Sequence, residues 1–302
     1  MWVVGSGSSG NDWANDVASA QDGGAFVCGT ADGQITLAGE SFGEANQSGF
    51  LVRLSSLGGV AWSATASGPG NAQCTALVRA GDGSVWVAGM YVNDDVTFGG
   101  STFPANGGYD GFVARYSDAG DPMSAIRIGG DGTSTLSGIA LINGDVLVAG
   151  RISGTVDFDL LTSGGEEIAD GVSDAFVARY RANGTLAWVR VFGGSGTEGA
   201  TDVCTIGGGE LLVTGEFDGT FTFGSTTLTT NGDQDIFMVR MRGDGSLASA
   251  AKVGSAGEDR SPRVASAGEF AILVGSTAGE TRFSDGTVRS GFGDNDQFIY
   301  QR

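Results

Sequence analysis

The sequence predicts an all-β protein made of five similar repeats, and three observations lead to that prediction. A Gly closes an apolar run five times, at intervals of 60 to 65 residues. A Phe opens a β-rich segment 21 to 26 residues after each Gly, and no stretch shows a sustained helical period with caps. A fixed period indicates one supersecondary unit repeated along the chain. The two markers are Gly29, Gly89, Gly150, Gly215 and Gly275, with Phe50, Phe112, Phe176, Phe237 and Phe298.

The fourth repeat shows the elements most clearly. Four segments rich in Val, Ile, Phe and Thr are separated by Gly-rich turns, and such residues suit a pleated, half-buried surface. A further run, 219–230, alternates Phe and Thr around Gly224 and predicts a small extra hairpin. The four main strands, A to D, are predicted at 200–206, 210–217, 235–241 and 248–253.

A four-stranded antiparallel sheet cannot bury both of its faces alone. Stacking five such sheets around an axis buries the faces between them. The sequence therefore predicts a single domain over 1–302 that is a five-bladed β-propeller. A right-handed parallel β-solenoid is the main rival, but its rungs are about 20–30 residues long. The predicted blades are approximately 13–65, 74–128, 137–192, 200–253 and 262–302 plus 1–4.

The ends of the chain predict how the ring closes. The fifth repeat has strands at 263–267, 269–276 and 297–302 and then stops before a fourth strand. Met1–Val4 resembles the fourth strands of other repeats, since Trp2, Trp62 and Trp188 fall at equivalent positions. We therefore expect the N-terminal strand to complete the last blade and remove an open sheet edge.

Composition excludes several classes of partner. The formal net charge is −19 and the sequence pI is about 4.1, so phosphate backbones and anionic membrane surfaces are repelled. The apolar runs are too short to span a bilayer. The chain opens with MWVVGSG, without the basic and apolar regions of a signal peptide. The protein is either cytoplasmic or exported with a signal peptide that is absent from the sequence. We favour export.

The phrase at 174–198, followed by 210–235, resembles the bacterial β-propeller repeat called SBBP. The motifs DAFVARY and DIFMVRM precede an Asn-Gly and an Asp-Gly turn, GFVARY precedes the turn SDAG, and a Gly-rich loop follows each of them. The resemblance covers essentially the whole sequence and implies an exported or surface-associated bacterial protein, often with many domains. The family name implies seven blades, whereas five repeats are counted here. The family has no common catalytic residues, so the resemblance implies no site.

Residues that recur in every repeat are expected to serve the fold. An Asp precedes the third strand at Asp110, Asp174, Asp235 and Asp296, with Ser48 in the first repeat. These side chains are expected to cap backbone N–H groups in the turn, rather than to form a ring of cation ligands. The Arg residues of the third strand are expected to be paired or on the surface. They are Arg53, Arg115, Arg179 and Arg240.

Departures from the repeat indicate where function lies. Among the predicted D–A loops, only the first contains an aromatic residue, Trp13, beside Asn and Asp. An exposed Trp with polar neighbours suits sugar stacking, although a Trp folded over the core rim is the structural alternative. The predicted loops are 5–15, 66–74, 129–137, 193–201 and 254–262.

Strand A is expected to line the central channel, and its residues there differ between repeats. They are Asp16, Ala76, Gly138, Asp202 and Arg263. Glycosidases use two carboxylates at a defined separation, so Asp16 and Asp202, with Glu198 as a third acid, form a candidate hydrolase site. The candidate ligand-binding set is thus Trp13, Asp16, Asp202 and Arg263. No catalytic residue is assigned.

Other chemistry is limited. The chain has no His, which excludes His-based triads and His metal ligands. No metal site or cofactor is predicted. The alternative is Ca²⁺ held by Asp-rich fragments at 93–95, 157–159 and 294–296. The cysteines Cys28, Cys74 and Cys204 lie far apart in sequence and are predicted to be buried thiols.

The leading hypothesis is a non-enzymatic, exported or cell-surface binding module. Its partner would be a glycan or a protein on the loop face, without nucleic acid or membrane insertion. Two alternatives remain open at this point. One is a structural scaffold that spaces or assembles domains, and the other is a glycoside hydrolase with channel carboxylates.

Overall fold

The computed structural model describes residues 2–160, 164–291 and 296–301, and these residues form an all-β structure. A single 3₁₀ turn at Gly207–Gly209 is the helical element of the described residues. The first three repeats carry β1 Ser6–Gly7, β2 Asp12–Ser19, β3 Ala25–Asp32, β4 Ile35–Leu37, β5 Glu40–Phe42, β6 Gln47–Leu54, β7 Val60–Thr65, β8 Asn71–Arg79, β9 Val85–Val92, β10 Val96–Phe98, β11 Ser101–Phe103, β12 Asp110–Tyr116, β13 Pro122–Ile128, β14 Thr133–Ile142, β15 Asp145–Ser153, β16 Thr155–Asp157, β17 Glu166–Ile168, β18 Asp174–Tyr180 and β19 Leu186–Phe192. The last two carry β20 Glu198–Ile206, β21 Glu210–Phe223, β22 Thr226–Arg242, β23 Leu247–Gly254, β24 Arg260–Ala267, β25 Phe270–Thr277, β26 Thr281–Phe283, β27 Val288–Arg289 and β28 Asp296–Gln301.

The main strands form antiparallel sheets that follow the repeats. Sheet 1 is β2-β3-β6-β7, sheet 2 is β8-β9-β12-β13, and sheet 3 is β14-β15-β18-β19. Sheet 4 is β20-β21-β22-β23, to which the hairpin β26-β27 adds two strands, and sheet 5 is β24-β25-β28. The predicted extra hairpin at 219–230 is confirmed, because β21 and β22 continue beyond the sheet and pair across residues 224 and 225.

The chain divides into two compact units. The first comprises Met1–Ile139, Val156–Gly164 and Ala182–Thr185, and the second comprises Ala140–Thr155, Gly165–Arg181 and Leu186–Arg302. Sheets 1 and 2 lie in the first unit, and sheets 4 and 5 lie in the second. Strands β15, β18 and β19 of sheet 3 also lie in the second unit. The prediction of one domain stays a prediction.

The recurring Gly and Phe are direct cross-strand partners. In sheet 2, Gly89 of β9 pairs with Phe112 of β12, and the same register joins the other four marker pairs. A Cβ on Gly89 would lie 2.4 Å from the Phe112 ring and 2.2 Å from the carbonyl oxygen of Gln73. The Phe ring therefore covers the Gly, and one contact explains why both markers keep the same period.

Three of the recurring Asp residues cap the turn before the third strand, as predicted, and the turn before the fourth, Asp296, lies outside the described residues. Asp235 Oδ2 accepts a hydrogen bond from the Asn231 N–H at 3.0 Å, and Asp110 and Asp174 accept from the residue four positions earlier in the same way. Ser48 Oγ takes this role in the first repeat, accepting from the Glu44 N–H at 3.3 Å. The recurring cap satisfies N–H groups that the strands leave free.

The recurring Arg residues are paired, as predicted, each with an acid at the turn between the first two strands of its sheet, and Arg53 also with Asp118 between β12 and β13. Arg115 reaches Asp82 at 2.6 Å, and Arg179 reaches Asp145 at 2.7 Å. Arg53 pairs with Asp22 and Asp118, and Arg240 pairs with Glu210.

The predicted strand at 1–4 is not formed. Met1 lies outside the described residues, and residues 2–4 have no strand pairing. Sheet 5 correspondingly has three strands in the described part of the chain. The Trp2 indole instead has a defined place beside sheet 1, where it lies over Gly58 and its Nε1–H donates to the Ser56 carbonyl at 3.0 Å.

The cores of the two units are built from the predicted apolar runs. Trp86, Tyr91 and Phe112 are fully buried in the first unit, as are Phe217 and Phe237 in the second. The three cysteines are buried free thiols, as predicted. Burial raises the pKa of the Cys28 and Cys74 thiols well above the usual range and that of Cys204 to about 12. All three therefore remain protonated and act as small apolar side chains.

Candidate functional site

Trp13 lies in a strand rather than in the loop where it was predicted. Strand β2 begins at Asp12, because Asp12 pairs with Ala31 and Trp13 pairs with Thr30 of β3. The Trp13 side chain is 50% exposed. It lines a groove of about 360 Å³ on one face of sheet 1, together with Trp2, Val4, Val17, Val27 and Leu37. The exposed indole is thus part of a mainly apolar sheet face.

Asp16 is held by backbone N–H groups. A β-bulge between Ala14 and Asp16 turns the carboxylate toward the next sheet. Its two oxygens accept hydrogen bonds from Val17 N–H at 2.7 Å and from Leu77 N–H at 2.9 Å. These contacts join β2 to β8 and give Asp16 a structural role.

Asp202 repeats this arrangement in the second unit. It follows a bulge between Ala200 and Asp202, and it accepts hydrogen bonds from Val203 N–H at 2.9 Å and Val264 N–H at 3.0 Å. Asp16 and Asp202 therefore fulfil the same structural function in two different units. The structure assigns backbone partners to both predicted hydrolase carboxylates.

Arg263 is brought close to the Asp202 segment. Its guanidinium donates to the Thr201 carbonyl at 2.8 Å, and Thr201 Oγ1 donates to the Pro262 carbonyl at 2.8 Å. The two strands β20 and β24 are thereby linked side by side. The predicted set is thus divided, with Trp13 and Asp16 in the first unit and Asp202 and Arg263 in the second.

Glu198, the third predicted acid, is fully buried at the start of β20. Burial, with the charges of Asp174 and Asp218 nearby, raises the pKa of Glu198 to about 7. Its side chain faces that of Asp174, whose pKa burial also raises. Asp174 was predicted to be one of four equivalent caps, and no spatial proximity to Glu198 was predicted. The sequence signal was Val191, which stands where two other repeats have a basic residue.

No group of three or more His, Cys, Asp or Glu side chains arranged to hold a metal ion occurs within the described residues. In the fragment at 93–95, Asp95 accepts a hydrogen bond from Ala105 N–H at 3.2 Å. In the fragment at 157–159, Asp157 accepts from Asp159 N–H at 2.8 Å. In the third fragment, residues 294 and 295 lie outside the described residues. The first two fragments thus stabilise turns.

Within residues 2–160, 164–291 and 296–301, no helix has the length and apolar character needed to cross a membrane.

Comparisons with known proteins leave the family open. No family model matches the chain. The chain is 31% identical over 178 residues to the regulatory protein FlaEY of Caulobacter vibrioides, a match that covers 55% of this chain and 18% of that protein. The chain thus spans less than a fifth of the length of this relative. A protein of unknown function from Bacteroides caccae has a TM-score of 0.35 and 11% identity, covering 79% of this chain and 81% of the other.

Proposed function

We propose that this protein is a non-enzymatic interaction module that binds a glycan or protein partner at the Trp13 groove. The half-exposed indole in a groove of about 360 Å³ is the observation that carries the proposal. An amphipathic aromatic side chain at a concave surface stacks on sugar rings or buries against a protein partner. The backbone contacts of Asp16 and Asp202 favour binding over hydrolysis.

The proposed scaffold is a five-bladed β-propeller closed by its N-terminal strand. Support comes from a contact that recurs between successive sheets of each unit. Trp62 lies over Gly120 and donates to the Asp118 carbonyl at 2.9 Å, and Trp188 lies over Gly245 and donates to the Gly243 carbonyl at 3.1 Å. Trp2 makes the same contact with Gly58 and Ser56. Trp2 therefore has the position of a Trp in the fourth strand of a preceding sheet.

A second recurring contact supports the same assignment. Five residues after Trp62, Ser67 bridges Thr97, and five residues after Trp188, Gly193 bridges Thr222. Five residues after Trp2, Gly7 pairs with Thr36 in the same antiparallel sense. The segment from Trp2 to Gly7 thus contacts the following sheet as a fourth strand does, although it belongs to none of sheets 1 to 5. Sheet 5 has no fourth strand in the described residues.

Hydrogen exchange tests the closure. In the closed ring, residues 1–4 would pair with β28 and protect the amides on its outer edge. We expect deletion of residues 1–4 to accelerate exchange in β28 and to leave β12 of sheet 2 unchanged. Equal exchange of β28 in the deleted and the full chain would reject closure by this strand.

In the closed ring, Trp13 would lie at the rim, because Trp13 is the second residue of β2 and adjoins the preceding loop. In the closed ring, the part of the groove around Val17 and Val27 would be covered, and the part around Trp13 would stay open to a partner. We expect Trp13→Ala to abolish binding on a glycan array or in a pull-down with a defined extracellular protein panel. Leu57→Ala, at an apolar residue that is 88% exposed outside the groove, serves as the control. A ligand held equally by both variants would reject the Trp13 site.

The second candidate function is a structural module that assembles copies or domains. It is favoured by uncovered apolar side chains on β25 and β28, among them Phe270 at 52% and Ile299 at 79% exposure. Light scattering over a range of concentrations separates the candidates. Growth of the particles with concentration, lost in Ile299→Ser, supports assembly, and a constant monomer mass rejects it.

We also propose an extracellular or cell-surface location, which rests on the repeat resemblance and the net charge of −19. Fractionation of cells that express the natural gene tests it, and recovery from the cytoplasm alone would reject it.

A further inference from the structure

The buried position before the third strand has a different electrostatic partner in sheet 3. In sheet 2, the fully buried Asp110 is bound by Arg127 at 2.9 Å. In sheet 4, the fully buried Asp235 is bound by Lys252 at 2.9 Å. Both cations stand opposite the marker Phe on the fourth strand, and the residue at that position in sheet 3 is Val191. Within the described residues, Asp174 therefore has no ion pair of the kind that Asp110 and Asp235 form.

A second acid lies beside Asp174, because a Cβ on Gly193 would be 2.5 Å from Asp174 Oδ1 and 2.9 Å from Glu198 Oε2. Glu198 is fully buried and Asp174 is 3% exposed. Glu198 is fixed there by its backbone, because its N–H donates to the Ser173 carbonyl at 2.9 Å and Ser173 Oγ donates to the Glu198 carbonyl at 3.1 Å. The two carboxyl groups thus meet where β18 of sheet 3 and β20 of sheet 4 begin.

In each acid, one carboxyl oxygen accepts a hydrogen bond from a backbone N–H and the other does not. Asp174 Oδ2 accepts from Asp170 N–H at 2.9 Å, and Glu198 Oε2 accepts from Gly194 N–H at 3.2 Å. The other two oxygens, Asp174 Oδ1 and Glu198 Oε1, are buried without a hydrogen-bond donor in the described structure. As carboxylates, both groups are acceptors only, so a hydrogen bond between them requires a proton on one.

The charged surroundings do not supply the missing cation. Asp170 precedes β18, and Asp218 of β21 adds another negative charge while its Oδ1 accepts from Thr197 N–H at 3.0 Å. Arg151 of β15 contacts the neighbouring Gly199 with its side chain. Two buried like charges side by side are strongly unfavourable.

We infer that Asp174 and Glu198 share one proton, and that loss of this proton weakens the junction between sheets 3 and 4. The pair is a pH-sensitive element built into the fold. In the singly protonated state, the carboxyl O–H of one acid donates to the carboxylate of the other. Deprotonation leaves two facing carboxylates, and the released proton passes to solvent.

The direction of the pH dependence follows from proton linkage. The pKa of Glu198 in the folded protein, about 7, lies above the ordinary value of 4.5 that applies in the unfolded chain. Between these values the folded state binds the extra proton, so the free energy of unfolding falls as pH rises. Between pH 5 and pH 8 we expect the unfolding equilibrium constant to increase on the order of 10- to 100-fold from this pair.

Two variants of the full chain test the inference by urea unfolding across pH 5 to 8. Glu198→Gln supplies a permanent N–H donor to Asp174 and is expected to remove most of the pH dependence. Val191→Lys restores the cation found in sheet 4 and is expected to stabilise the protein selectively at pH 8. Asp12→Asn is the matched control, because Asp12 caps the first strand of sheet 1 by accepting from Ser8 N–H at 2.6 Å. It should retain the wild-type pH profile.

Specific outcomes would overturn the shared proton. One is a wild-type pH profile in Val191→Lys, which remains informative if Glu198→Gln does not fold. Another is stabilisation of the wild type by added CaCl₂ at pH 8 that Glu198→Gln lacks, since this would assign the two acids to a cation instead. A loss of pH dependence in both variants, with no calcium effect, supports the inference.

Discussion

Strand β9 of sheet 2 and strand β25 of sheet 5 hold the same position in their repeats but have different surroundings. In β9, Trp86, Val87 and Ala88 are all fully buried. In β25, burial alternates, and Ile272 and Val274 are each 38% exposed. Sequence composition does not explain the contrast, because FAILVG in β25 is as apolar as VWVAG in β9. Continuous apolar runs are typical of strands that are covered on both faces.

In these repeats, the burial of a strand is determined by the neighbouring sheets rather than by the composition of the strand. A strand with apolar residues on both faces is suited to lie between two other sheets. This property of β25 is consistent with the closed ring proposed above, in which its exposed face would be covered. The following predictions test how strongly sheet 2 depends on its contacts compared with sheet 5.

The largest difference is expected for ion pairs. Arg127→Met removes the cation from the fully buried Asp110 and also the bond from Arg127 to the Tyr91 hydroxyl at 2.9 Å. Removing one partner of a buried pair leaves an uncompensated charge, so the free energy of unfolding should fall by about 3–5 kcal/mol. Urea unfolding at pH 7 measures this loss.

The control lies in the fifth repeat. Arg282 and Glu280 form a pair with side chains 62% and 56% exposed. Arg282→Met should reduce the free energy of unfolding by less than about 1 kcal/mol, because water screens exposed pairs. Equal losses for the two variants would contradict the difference between the buried pair of sheet 2 and the exposed pair of the fifth repeat.

A smaller difference is expected for the recurring Gly. In Gly89→Ala, the added Cβ would meet the Gln73 carbonyl oxygen at 2.2 Å and the Phe112 ring at 2.4 Å. In Gly275→Ala, the nearest atoms are in the Phe298 ring at 2.9 Å and in the flexible end of Ile236 at 3.0 Å. We expect losses of about 3 kcal/mol and about 1 kcal/mol respectively. Thermal and urea unfolding of the two variants should give this order, and the reverse order would contradict it.

Much of the fold was accessible from sequence because the repeated contacts use the same residues each time. The Gly–Phe pairs, the Asp caps and the Arg ion pairs all involve a fixed register, so their period is visible in one chain. The strand bounds of the fourth repeat were correct within a few residues, apart from the extension of β21 and β22 into the extra hairpin. The strands predicted at 263–267 and 269–276 end within one residue of β24 and β25, whereas the strand predicted at 1–4 is not formed.

The candidate site was less accessible, for two physical reasons. Trp13 was assigned to a loop because Asn and Asp are typical of loops, whereas pairing with β3 holds these residues in β2. Asp16 and Asp202 were treated as departures from the repeat, although both bind the backbone of the next sheet at 2.9 to 3.0 Å. A side chain that follows a β-bulge points in a direction that strand alternation does not predict.

The smallest effect concerns the hydrogen bond that links the first strands of sheets 2 and 3. Thr75 Oγ1, at the bulge of β8, donates to the Leu136 carbonyl at 2.7 Å. Thr75→Val keeps the shape and removes the donor, so the free energy of unfolding should fall by about 1 kcal/mol. Thr75→Ser should restore most of the loss because it retains the hydroxyl. The control in sheet 5 is Ser266→Ala, at an exposed position of β24, which should change stability by less than about 0.5 kcal/mol. Were Thr75→Val as stable as the wild type, the bond could not contribute to the stability of the junction between sheets 2 and 3.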